Sequence, residues 1–157
     1  MRGTRRFQPP WRKGRPAAAV EHVLPRVQRH IVSVEVAPAA VREAREAVAE
    51  RLPEAGVAPN SAFADAVLLV VSELVTNVLR HAVDSPVADV GITVAAGQLV
   101  IGVADGDPRL PELEPHAMGE GLRAVVELAD VYGGDISVEP AVDHCGKVVL
   151  VRFRIPS

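Results

Sequence analysis

Aromatic side chains are scarce, with three Phe, one Tyr and one Trp in 157 residues. The core must therefore be assembled from small and β-branched side chains, and Val (28) and Ala (23) supply about a third of the chain. A single cysteine, Cys145, excludes an intramolecular disulfide framework and any zinc site built on two or more thiolates. Next to Asp143 and His144, in an expected turn, it reads as a structural residue. The longest uninterrupted apolar run is the six residues 66–71, against the ~20 that a membrane span needs. The basic start Met1-Arg-Gly-Thr-Arg-Arg is followed only by a short apolar stretch at 17–20, so no export signal is expected. Neither Gly-x-x-x-x-Gly-Lys-Ser/Thr nor Gly-x-Gly-x-x-Gly occurs, which excludes P-loop and Rossmann sites. No nucleophile–base constellation suggests a metabolic enzyme. A soluble, cytoplasmic chain with one folded domain is expected, with 48% hydrophobic residues to build its core.

The formal net charge of −3 averages two unlike pieces. Residues 1–30 hold eight Arg or Lys against one acid, Glu21, a balance of +7. Residues 31–157 hold nine bases against nineteen acids, a balance of −10. With Pro9, Pro10 and Pro16 and no apolar period, residues 1–29 read as a disordered basic arm, and 30–157 as the folded domain. Phe7 and Trp11 are too few for a base-stacking platform, and the acidic body is not itself a nucleic-acid module.

Strand and helix alternate along the body. Ile31, Val32, Val34 and Val36 mark a strand over 29–37; Val41, Ala44, Val48 and Leu52 repeat at helical spacing over 39–52. Asn60 or Ser61 caps a long helix to about residue 83, stopped before Pro86. Residues 87–95 and 98–104 form a hairpin across Ala96-Gly97. A loop with Pro108, Pro111 and Pro115 precedes a helix over 121–130, a short strand over 135–138 and a last strand over 147–155. The order predicts an α/β (α+β) two-layer sandwich, a mixed, mainly antiparallel sheet with helices on one face.

Three segments carry chemistry. On the long helix Ser72, Glu73, Thr76, Asn77, Arg80 and His81 form one narrow polar stripe among apolar positions. Its carboxylate, amide and hydroxyls suit an oxygen-ligated Mg²⁺, and its guanidinium and imidazole suit phosphate; Glu73 and Asn77, one turn apart, can reach a common point. Periodicity alone leaves this ligand-holding stripe and an ordinary solvent face both open. Asp105-Gly106 ends an apolar strand, where the carboxylate could accept from an adenine amino group or simply begin a turn. Gly119-Glu-Gly121-Leu122 opens an amphipathic helix whose free backbone N–H groups could face an anion.

Taken in order, Glu73-Leu-Val-Thr-Asn77-Val-Leu-Arg-His81-Ala, Asp105-Gly-Asp-Pro, Gly119-Glu-Gly-Leu-Arg-Ala-Val and Gly146-Lys-Val-Val-Leu-Val-Arg-Phe resemble the histidine-kinase-like ATPase superfamily with the Bergerat ATP-binding fold. Within it the chain is similar to the small anti-sigma-factor serine/threonine kinases and their ATP-binding relatives, over about residues 31–155. The resemblance implies ATP and Mg²⁺ as cofactors, with Asn77 holding the Mg²⁺ between the phosphates. Glu73 would be the general base or water positioner. Arg80 and His81 would lie towards phosphates or ribose, and Asp105 would recognise the adenine amino group with Gly106 beside the ring. Gly119, Gly121 and Leu122 would mark the phosphate-contacting start of the last helix, and residues 107–118 the lid.

The resemblance further implies a protein kinase acting on an anti-anti-sigma-type protein substrate, with a sigma factor as a second candidate partner and a homodimer as a candidate assembly. The alternatives are a non-catalytic ATP-binding regulator and, third, a nucleic-acid contact through the basic arm. No membrane partner is expected, nor is a self-contained sensor histidine kinase, which needs a dimerisation helix pair. The chain departs from the broader pattern Asp-x-Gly-x-Gly, because Asp107 and Arg109 stand where the glycines are expected. With so few aromatics, adenine would have to be held by aliphatic side chains and by backbone near Gly106.

Overall fold

The computed structural model describes residues 27–82, 84–111, 113–114, 116–141 and 146–157. Most of the basic arm, together with Val83, Pro115, Asp143, His144 and Cys145, lies outside the described residues. Among the described residues five strands and three α-helices follow in the order β1 (Gln28–Glu35), α1 (Ala40–Arg51), α2 (Ala62–His81), β2 (Val87–Ala95), β3 (Gln98–Asp105), α3 (Glu120–Val131), β4 (Ile136–Pro140) and β5 (Lys147–Arg154). A 3₁₀ turn, Pro53–Ala55, separates α1 from α2. β1 begins two residues inside the stretch read as arm, because Gln28 and Arg29 still find ladder partners in Val94 and Thr93.

The sheet order is β1-β2-β3-β5-β4, and all four described pairings are antiparallel. After β3 the chain crosses through α3 to the edge strand β4 and returns as β5 between β4 and β3. That crossover lays the start of β5 against the end of β3, with Lys147 opposite Asp105. Pro140, which cannot donate to a ladder, ends the edge strand, where its missing N–H does least harm.

One sheet face is covered by the helices. Val90, Ile92, Leu99, Ile101, Val103, Val149, Val151 and Phe153 point to that side and are buried, while their strand neighbours Asp89, Val100, Gly102, Val148 and Leu150 are not. Across the ladder Val90 faces Val103, and Ile101 faces Val151, so β-branched pairs stack in register. Each fully buried Val or Ile contributes on the order of 1.5–3 kcal/mol, and with Ala44 and Ala64 closing the helix contacts the core is the small-residue core that the composition implies.

The long helix α2 is capped by Ser61, whose Oγ accepts from Ala64 N at 3.1 Å and donates to Ala58 O at 2.7 Å. By length and composition α2 could cross a membrane, but half of its most apolar stretch is buried inside the fold, as in a core helix. Phe63 at its start meets Tyr132 just after α3 (4.9 Å between ring centroids) and Phe153 on β5 (5.8 Å), all edge-to-face. This aromatic cluster sits at one end of the antiparallel α2–α3 pair. The polar half of α2 and the start of α3 lie at the other.

Candidate functional site

That other end is a cleft of about 570 Å³ between α2, the start of α3, the end of β3, the start of β5, and the loop after β3. Glu73, Asn77, Arg80, His81, Asp105, Gly119, Gly121 and Leu122 all line it. Thr76 of the same stripe joins them. Ser72 does not: its Oγ accepts from Arg45 Nη1 at 2.8 Å and donates to Leu68 O at 2.9 Å, which turns it towards α1. Gly106 also stands outside the lining, with its N–H donated to Ser85 Oγ at 2.9 Å. Ser85 in turn donates to Val87 O at 2.9 Å, so this buried hydroxyl ties the end of β3 to the start of β2. Arg109, Glu120 and Lys147 add charge to the lining, and the rest of it is aliphatic, including Leu74, Val78, Val103, Leu110 and Val149. No Phe, Tyr or Trp lines it among the described residues, in keeping with the composition.

Two close approaches depend on missing side chains. A Cβ on Gly121, in the first turn of α3, would collide with Glu73 Oε2 and lie 3.3 Å from Glu73 Cδ. The carboxylate thus occupies the space that any other residue at 121 would fill. Gly119 differs, since a Cβ there would meet nothing within 4 Å. A Cβ on Gly146 would overlap the Asp105 carbonyl, so glycine there lets β5 come close to the end of β3.

Asp105 is held from two sides. Its Oδ1 accepts from Asp107 N at 2.8 Å and from Lys147 Nζ at 3.0 Å, and the side chains of this pair are only 3% and 10% exposed. Lys147 Nζ also donates to Asp107 O at 2.9 Å. Both bonds to the carboxylate land on Oδ1, which leaves Oδ2 to accept from an incoming donor.

The residues standing in place of glycines form a strap. Arg109 Nε and Nη2 grip the Asp107 carboxylate, with Nη2–Oδ2 at 2.7 Å, and Nη2 also donates to the His81 carbonyl at the end of α2 at 2.6 Å. The Arg109 side chain and its backbone N–H hold the Asp107 carboxyl well below the usual carboxylate range, and Asp107 raises the Arg109 guanidinium in return. The root of the loop is thereby tied to the helix that carries Glu73 and Asn77.

The sequence pattern gave no role to Lys147, Arg109 or Ser85. Lys147 left a signal, a lone cation opening the apolar run of β5 directly after a glycine; Ser85 left none.

A family model described as the histidine kinase-like ATPase domain matches residues 34–149. The chain belongs to that family. The match takes in everything from α1 to β4 of this histidine kinase-like ATPase domain, with only the last two residues of β1 and the first three of β5. Among solved structures it is similar to the blue-light activated histidine kinase of Erythrobacter litoralis, with 22% identity, a TM-score of 0.53, and 78% of this chain and 46% of that one covered. It is also similar to the histidine kinase domain from the same protein, with 26% identity, a TM-score of 0.48, and 59% and 45% covered. The domain thus spans less than half the length of either. No curated protein matched.

Proposed function

We propose that the chain is a Mg-ATP-binding regulatory protein of the cytoplasm and a serine/threonine kinase of the anti-sigma-factor type, acting on an anti-anti-sigma-type protein. The observation that carries this reading is the convergence of Glu73 and Asn77 on α2, the open start of α3 at Gly119, and Asp105 on one cleft.

The lining fits a magnesium nucleotide. Among the described residues no three His, Cys, Asp or Glu side chains gather to hold a cation. A metal here would therefore draw most of its ligands from phosphate and water, with Asn77 adding a neutral oxygen. When bound, Mg-ATP supplies the transferable phosphoryl group and metal neutralisation of its charge. The chain's own part is positioning. The backbone N–H groups at the start of α3 and the side chains of Arg80 and His81 would face the phosphates. Asp105 Oδ2 would accept from the adenine amino group, and Leu110, Leu74 and Val78 would exclude water. Glu73, kept in place by the space at Gly121, would take the proton of the substrate hydroxyl.

The test is transfer of label from γ-labelled ATP to anti-anti-sigma-type proteins, abolished by Glu73→Ala. The strap of Asp107 and Arg109 favours a second reading, a nucleotide-responsive regulator without transfer, because it fixes the lid root to α2 where the broader motif has glycines. Binding of intact ATP that changes partner affinity, with no label transferred, would select that reading.

A further inference from the structure

Lys147 has the geometry of a base-reading residue as well as a structural one. Its ammonium carries three N–H bonds. Two have partners, Asp105 Oδ1 at 3.0 Å and Asp107 O at 2.9 Å, and the residue lines the cleft beside Asp105. No other acceptor among the described residues bonds Nζ, and Val103 and Val149 line the same cleft with side chains that accept nothing. A buried N–H without an acceptor is costly, so a ligand that supplies one gains affinity there. Asp105 presents the opposite character at the same place, with both its bonds on Oδ1 and Oδ2 left to accept. Gly146 makes the juxtaposition, because any side chain there would hold β5 away from the Asp105 backbone.

We propose that Lys147 and Asp105 read the nucleobase as a donor–acceptor pair, Asp105 accepting from the exocyclic amino group of adenine and Lys147 donating to the ring nitrogen beside it. This rests on the nucleotide-binding reading above and adds a specificity-determining residue to it. Adenine offers the matching edge, an amino donor next to an unprotonated ring nitrogen. Guanine offers a carbonyl where Asp105 needs a donor and, at N1, an N–H where Lys147 needs an acceptor. The pair would therefore select adenine without an aromatic ring to stack it.

The test is calorimetric binding of ATP, 1-deaza-ATP and 7-deaza-ATP, in which a C–H replaces N1 or N7. On the wild-type chain 1-deaza-ATP is expected to bind about 10- to 100-fold more weakly than ATP, the range for a lost hydrogen bond to a charged donor, and 7-deaza-ATP within about twofold of it. In Lys147→Met that penalty should vanish, so that ATP and the analogue bind alike. Because Lys147→Met leaves Asp105 a buried charge, Lys147→Arg is measured alongside; it keeps the charge but displaces the donor, and should cut the penalty at least threefold. 1-deaza-ATP binding wild type within about twofold of ATP, or a penalty unchanged in the variants, would overturn the pairing. Failure of wild type to bind ATP at all would instead overturn the nucleotide reading, and the pairing with it.

Discussion

Replacing Gly121 with alanine adds one methyl group where Glu73 already stands. The new Cβ would overlap Glu73 Oε2, so the carboxylate must withdraw by about 1 Å to reach ordinary contact. It can do so cheaply, being the end of a flexible side chain. Alanine is also the better helix former by about 0.5–1 kcal/mol, so the melting temperature should hold or rise slightly. The cost falls on chemistry. A misplacement of about 1 Å in a catalytic group is worth roughly 100-fold in rate, about 2.7 kcal/mol of barrier. Single-turnover label transfer from γ-labelled ATP should therefore drop about 100-fold, while ATP affinity changes less than about threefold. Gly119→Ala, with open space around its Cβ, is the matched control and should leave both quantities within about threefold of wild type. Wild-type transfer by Gly121→Ala would refute the reasoning. So would a loss of ATP binding as large as the loss of transfer, which would make Gly121 a phosphate contact and not the space that Glu73 needs.

Three further outcomes follow from the packing and the charges. Lys147→Met breaks a buried ion pair and strands Asp105, at a cost of about 3–5 kcal/mol by urea denaturation; Lys147→Met with Asp105→Leu should recover much of it. Ala96 has φ 52° in the β2–β3 turn, a conformation asparagine adopts more readily, so Ala96→Asn should stabilise the fold by about 0.5–1 kcal/mol; unchanged stability would mean the turn stores no strain. The lowered Asp107 carboxyl gives the strap a defined pH dependence. A group whose folded pKa is depressed contributes stability above the ordinary carboxylate pKa and loses it as pH falls through the folded value. The stability gap between wild type and Asp107→Asn should therefore be flat from pH 8 to about 5 and close only below about pH 4. A gap that closes nearer neutrality would contradict the Arg109 grip.

The elements were legible because each rests on local patterning. Val and Ile alternate along β2 and β3, Ala96-Gly97 takes the positive φ values of a tight hairpin, and Ser61 caps α2 with its own hydroxyl. The stripe from Glu73 to His81 was legible for the same reason, as one face of one helix. What escaped is what register and crossover decide. Lys147 meets Asp105 across 42 positions only because β5 inserts beside β3. The union of Arg109 with the His81 carbonyl depends on how the loop folds back over α2. Gly121 read as a phosphate-facing glycine, and its packing against Glu73 arises from the antiparallel approach of α2 and α3. Ser72 belonged to the stripe by period, yet a quarter-turn about the helix and the reach of Arg45 take it to the other side.

The assignment of the cleft to a magnesium nucleotide stands most directly on Asn77. Calorimetric titration with ATP, with and without Mg²⁺, on wild type and Asn77→Ala tests it. Wild type should bind ATP more tightly with Mg²⁺, and Asn77→Ala should lose at least about tenfold in affinity, some 1.4 kcal/mol, in the presence of the metal. Equal binding by the two proteins, or no effect of Mg²⁺ on wild type, would contradict it.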